Sequence, residues 1–104
     1  MKKEVYAGKV VVITGGSSGI GLAAAKEFAQ RNAKLVLIAR DEHKLRAAKL
    51  AVEAIGSNIV LAVAADVSNK EDITNAINRV GNELGSIDVL INCAGITTCG
   101  RFAD

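Results

Sequence analysis

Four short apolar runs punctuate the chain: Val10-Val11-Val12-Ile13, Leu35-Val36-Leu37-Ile38-Ala39, Ile59 to Ala65, and Val89-Leu90-Ile91. None alternates apolar with polar residues, as a strand with one wet face would. Strands buried on both faces read this way, and they belong to parallel sheets. The runs begin 25, 24 and 30 residues apart. Each interval therefore has room for the one helix that a right-handed crossover between parallel strands requires.

The intervals carry helical periodicity. Ile20, Ala23, Ala24 and Phe28 share one face at offsets 0, 3, 4 and 8. Leu45, Ala48, Val52 and Ile55 repeat the pattern, with Asp41 placed as an N-cap and Gly56 as the stop. The third stripe, Ile73, Ala76, Ile77, Val80 and Leu84, is the cleanest. Ser68 and Glu71 have capping-box spacing ahead of it, and Gly85 suits a left-handed C-cap. The order β-α-β-α-β-α-β fills residues 1–104 without linker, repeat or low-complexity segment. It predicts a single α/β domain built on a parallel sheet covered on both faces, three layers in all.

Composition narrows the picture. Half of the 104 residues are hydrophobic and 23% are charged, which excludes a disordered chain. Aromatics at 3% and the absence of Trp exclude a base-stacking surface for single-stranded nucleic acid. The net charge of +2 divides unevenly, +6 over residues 1–52 and −4 over residues 53–104. That asymmetry fits either solvated helix faces or a first half that attracts an anionic ligand. No run approaches the roughly 20 apolar residues of a membrane span. The start, Met1-Lys2-Lys3-Glu4, is not followed by an apolar signal core, and a cytoplasmic location is expected. Cys93 and Cys99 lack metal-ligand company and are expected as reduced thiols, and His43 stands alone among charged residues. No metal site is expected.

The chemistry gathers after the first apolar run. Thr14-Gly15-Gly16-Ser17-Ser18-Gly19-Ile20-Gly21 sits between a strand and a helix, with four glycines in the seven residues from 15 to 21. Glycine lets the backbone turn tightly and lets a pyrophosphate approach main-chain N–H groups. The helix start then offers unpaired donors and the positive end of its dipole. Ser17 and Ser18 add hydroxyl donors. No Lys-Ser or Lys-Thr follows the glycines, so a nucleoside-triphosphate P-loop is excluded.

The spacing G-x-x-x-G-x-G at Gly15, Gly19 and Gly21 resembles the cofactor motif of the short-chain dehydrogenase/reductase family. Asp66-Val67 at the end of the third run and Asn92-Cys93-Ala94-Gly95 after the fourth strengthen the resemblance. The latter is similar to the family's Asn-Asn-Ala-Gly element, with Cys93 in place of the second Asn. The resemblance covers the chain from about Gly8 onward. It implies a Rossmann-like sheet of strand order 3-2-1-4, the first part of a longer doubly wound fold. It also implies a cofactor site made of Gly15, Ser17, Ser18, Gly19, Ile20 and Gly21, with Asp66 on the adenine ring, Val67 packed beside it, and Asn92, Ala94 and Gly95 lining the cleft. The words Arg40-Asp41-Glu42-His43-Lys44-Leu45, Asp66-Val67-Ser68 and Gly100-Arg101-Phe102-Ala103-Asp104 are most similar to those of 3-ketodihydrosphingosine reductases. With small changes they also occur in other carbonyl and steroid reductases.

The residue after the second strand selects the cofactor in such folds. An acid there accepts from the ribose 2′-OH of NAD, whereas an Arg accommodates the 2′-phosphate of NADP. Here that residue is Arg40, 19 residues past Gly21, with Lys44 one helical turn on. NADP(H) is expected in preference to NAD(H). The plainer readings are a surface ion pair of Arg40 with Asp41 or Glu42, and an ordinary exposed helix position for Lys44.

The resemblance places the family's chemistry in a later Tyr-x-x-x-Lys, aided by a Ser and an Asn. This sequence holds no Tyr-x-x-x-Lys, and its one tyrosine, Tyr6, precedes the first strand. The expectation is a cofactor-binding half without catalytic residues, inactive alone, with a carbonyl or alcohol substrate only in a longer form. A non-catalytic dinucleotide-binding module is the alternative. With no fifth strand expected, Asp88 to Asn92 would present a bare sheet edge, and a homo-oligomer formed through that edge is expected. The competing arrangement folds the tail, 96–104, back over it.

Overall fold

In the computed structural model, Val10–Thr14 form β1, Lys34–Ala39 form β2, Val60–Ala64 form β3 and Val89–Asn92 form β4. Between them run helices α1 (Gly19–Gln30), α2 (Glu42–Glu53) and α3 (Lys70–Glu83), and a short β5 spans Gly100–Phe102. The structure describes residues 5–15, 17, 19–56, 59–93 and, for the backbone, 100–102. β1 to β4 are parallel in the order β3-β2-β1-β4, as the four apolar runs and the resemblance imply. Among the described residues no helix is long and apolar enough to cross a membrane.

Both faces of the sheet are buried, which is why its central strands read as unbroken apolar runs. Along β1 and β2 successive residues alternate between the two faces. Val11, Ile13, Leu35 and Leu37 point to the layer of α1 and α2, where Ala25, Ala29, Leu45, Ala48 and Val52 meet them. Val10, Val12, Val36 and Ile38 point to the layer of α3, against Ala76 and Val80. Tyr6 closes the first layer with an edge-to-face contact on Phe28, ring centres 5.0 Å apart.

Several expectations are corrected. The buried stripe of α1 is Gly21, Ala25 and Ala29, while Ile20 is 52% exposed and Ala23 is also exposed. The smallest residues, four apart, let the helix lie close on the sheet, and the bulkier Leu22 and Phe28 flank the contact. In α2, Leu45, Ala48 and Val52 are buried and Asp41 is the N-cap, but Ile55 lies beyond the helix end and is 36% exposed. The cap of α3 is Asn69, one residue past the expected Ser68. Gly85, with φ of 95°, follows α3 as expected.

The edge of β4 is not bare. β5 pairs antiparallel with it, Leu90 opposite Phe102 and Asn92 opposite Gly100. The tail thus satisfies backbone groups that an unpaired edge would expose, and the ground for self-association through that edge is removed. Cys93 is disulfide-bonded rather than a reduced thiol. The other cysteine, Cys99, lies outside the described residues.

Candidate functional site

Parallel strands bring their carboxyl ends to one edge of the sheet, where open α/β folds bind ligands. Here the pairing sets Thr14 level with Asn92 on one side and Ile38 on the other, and Ala39 level with Ala64. The glycine loop, Arg40, Asp66-Val67 and Asn92 therefore leave the sheet at that same edge.

The loop starts from a tight bend. Gly15 has φ of 74° and its N–H donates to the Ile38 carbonyl at 2.7 Å, tying the turn to β2. Gly19 opens α1 with φ of 58°. Both values fall in the left-handed region that side chains with a Cβ resist. The first turn of α1 holds no acidic residue, whereas α2 has Glu42 there and α3 has Glu71 and Asp72. The dipole end of α1 is thus not countered by a carboxylate of its own first turn. Ile20 stands exposed beside it and Gly21 is buried. Ser17 is partly exposed, and Ser18 lies outside the described residues.

Across the β1–β4 pair, the buried Thr14 hydroxyl donates to Asn92 Oδ1 at 2.7 Å, and the Cys93 N–H donates to the Thr14 carbonyl at 3.0 Å. This contact fixes which way the Asn92 amide faces. Thr14 was absent from the expected site, because a threonine at a strand end carries no signal of its own in the sequence. Ala94 and Gly95 lie outside the described residues.

At the end of β2, Arg40 and Lys44 are exposed and neither enters an ion pair among the described residues. Asp41 does not pair with Arg40. Its Oδ1 accepts from the N–H of His43 at 3.0 Å and of Lys44 at 3.1 Å, capping α2. The Lys44 amide above all holds the Asp41 carboxyl below its ordinary value. At the end of β3, Asp66 Oδ1 accepts from the Ser68 hydroxyl at 2.6 Å and from the Ser68 N–H at 2.9 Å. The Ser68 hydroxyl is the main cause that lowers the Asp66 pKa, followed by the Ser68 amide, with Arg40 adding a Coulombic pull. Ser68, expected in a capping box, is thus spent on Asp66. An Asp-x-Ser sequence is the local signal for such a turn.

Two cavities open at this edge. One, about 280 Å³, is lined by Arg40, Glu42, Ala64, Ala65, Asp66 and Asp72. The other, also about 280 Å³, is apolar, with Val12, Ile38, Val67, Ile73, Ile77 and Leu90 beneath Thr14 and Asn92. Asp66 lines the first and its neighbour Val67 the second. No cluster of His, Cys, Asp or Glu among the described residues could hold a metal ion.

A family model described as short chain dehydrogenase matches residues 9–104. An 11-beta-hydroxysteroid dehydrogenase of Pinus massoniana is 47% identical over 93 residues, 89% of this chain and 26% of that protein. A 3-dehydrosphinganine reductase of Danio rerio is 42% identical over 101 residues, 93% of this chain and 30% of that protein. The chain therefore spans less than a third of the length of either. Among solved structures, L-sorbose reductase of Gluconobacter frateurii in complex with NADPH and L-sorbose superposes with a TM-score of 0.82 at 43% identity, covering 88% of this chain and 35% of that one. An NAD+-bound xylitol dehydrogenase gives 0.79 at 28% identity, covering 82% and 32%.

Proposed function

The chain belongs to the short chain dehydrogenase family, and from that premise we propose that it is the dinucleotide-binding part of an oxidoreductase that takes NADP(H) in preference to NAD(H). The bound dinucleotide supplies or accepts the hydride when a carbonyl is reduced or an alcohol oxidised. The residues fit such a group. Gly15 and Gly19 hold the left-handed bends of a loop that delivers main-chain donors to a pyrophosphate, and the start of α1 adds its dipole. Ser17 and Ser18 offer hydroxyls, and Ile20 and Gly21 continue the loop into the helix. Asp66 and Val67 serve the adenine end, and Asn92, Ala94 and Gly95 the nicotinamide side of the cleft. Lys44 adds positive charge near the 2′-phosphate.

The observation that carries the cofactor preference is Arg40. It is exposed at the carboxyl end of β2 and forms no salt bridge among the described residues, while Asp41 is engaged as a helix cap. A charge-assisted hydrogen bond to a 2′-phosphate is worth about 1.5–3 kcal/mol, so NADPH should bind roughly 10- to 100-fold tighter than NADH. Replacing Arg40→Asp should reverse the order, read by titration of both cofactors. Equal affinities before and after the change would contradict the assignment.

The second reading is a dinucleotide-binding module without catalysis, which would use the same binding residues. In both readings the 104-residue chain alone should show no NADPH-dependent carbonyl reduction. Turnover that survives repurification would contradict both.

A further inference from the structure

Asp66 leaves the edge strand β3, where its neighbours hold it at three points. Its N–H donates to Asp72 Oδ2 at 3.0 Å, and its carbonyl accepts from the Asn69 N–H at 2.9 Å. Its Oδ1 takes both donors of Ser68, the N–H at 2.9 Å and the hydroxyl at 2.6 Å. Asp72 is itself anchored, since its N–H donates to Asn69 Oδ1 at 3.0 Å in the first turn of α3. Two donors on one oxygen fix the plane of the carboxylate. The other oxygen, Oδ2, has no hydrogen bond among the described residues, and Asp66 lines a cavity of about 280 Å³ together with Ala64, Ala65 and Arg40.

An ionised carboxylate is acceptor-only. The Ser68 bonds and Arg40 favour that form. A fixed acceptor distinguishes ligands by what they present to it. The exocyclic amine of adenine donates, whereas the 6-oxo group of hypoxanthine sets lone pair against lone pair.

We propose that Ser68 and Asp72 are positioning residues that hold Asp66 as an acceptor for the adenine amine, so that the site selects a 6-amino purine dinucleotide over its 6-oxo counterpart. This rests on the dinucleotide reading above. Ser68 orients the carboxylate, and Asp72 fixes the main chain that carries it.

The test compares NADPH with reduced nicotinamide hypoxanthine dinucleotide phosphate, titrated into the 104-residue chain and followed by backbone amide shifts, which read weak binding. The unaltered chain should bind NADPH about tenfold tighter than the analogue. Ser68→Ala and Asp72→Ala should each bring the ratio to within about threefold, by weakening NADPH and leaving the analogue unchanged. Ser68→Thr keeps the hydroxyl and Asp72→Asn keeps an acceptor oxygen, and both should restore the ratio. A merely structural role would weaken both ligands equally, and that outcome overturns the proposal, as does an unchanged ratio in the alanine variants. Failure of the unaltered chain to bind either ligand removes the dinucleotide reading, and the positioning roles with it. Binding with an unmoved ratio removes the positioning roles alone.

Discussion

Strands β2 and β3 lie side by side in register and end at the same edge, yet they end differently. β2 is interior, with Leu35 to Ile38 fully buried, and β3 is the sheet edge, with Leu61 and Ala62 only partly buried. After β2 the chain offers a cation. Arg40 is exposed while Asp41 is consumed as the cap of α2. After β3 it offers an anion: Asn69 caps α3, which relieves Asp66 of that duty, and Asp66 is shaped by Ser68 instead. In each case a nearby residue caps the helix, and the residue proposed to bind the dinucleotide does not. A pair of opposite charges at neighbouring strand ends suits a ligand with a phosphate at one point and an amine at another.

The largest effect expected from this contrast is in the core. Leu37→Ala removes a fully buried side chain from the interior strand and should cost about 2–5 kcal/mol in denaturant unfolding. Leu61→Ala on the edge strand should cost less than half as much. Equal losses would show that β3 is buried more deeply than its place in the sheet indicates. Next come the caps. Asn69→Ala should destabilise the chain by about 1 kcal/mol without altering the NADPH-to-NADH affinity ratio.

The smallest effect separates the two caps by pH. Asp41 titrates and Asn69 does not. The Asp41 carboxyl is held below its ordinary value of 3.8, so its contribution is present above that value. It is lost as the pH falls from there through the depressed one. Acid titration of stability should therefore be shallower in Asp41→Asn than in the unaltered chain, whereas Asn69→Ala should leave its slope as it was. An unchanged slope in Asp41→Asn would place the acid sensitivity elsewhere.

The fold was legible wherever one local signal decided it. The apolar runs located β1 to β4 because burial on both faces leaves no polar alternation to blur them, and Asp41 was readable because a cap needs only the amides that follow it. The face of α1 is legible only in part: Ala24 and Phe28 do pack against the core, but apolar bulk also favours Ile20, whereas close contact with the sheet favours Gly21, Ala25 and Ala29. The α3 cap slipped by one residue because Asp66 competes for Ser68, a contest decided only once the turn forms. The pairing of β5 on β4 is set by tertiary contact, and nothing in Gly100-Arg101-Phe102 reads as a strand. At the site, the described residues among those named from the sequence emerge at one edge, but the bonds that orient them, Thr14 to Asn92 and Asp72 to Asp66, cross between elements or enter a helix turn and leave no motif behind.

Mapping NADPH onto the backbone amides of the chain tests the central claim most directly. The account predicts shifts confined to the carboxyl edge of the sheet, at Gly15, the first turn of α1, Arg40, Asp66, Val67 and Asn92. Residues at the opposite edge, Lys9, Lys34, Ile59 and Asp88, should stay still. Shifts centred on that opposite edge, or no shifts at saturating NADPH, would contradict it.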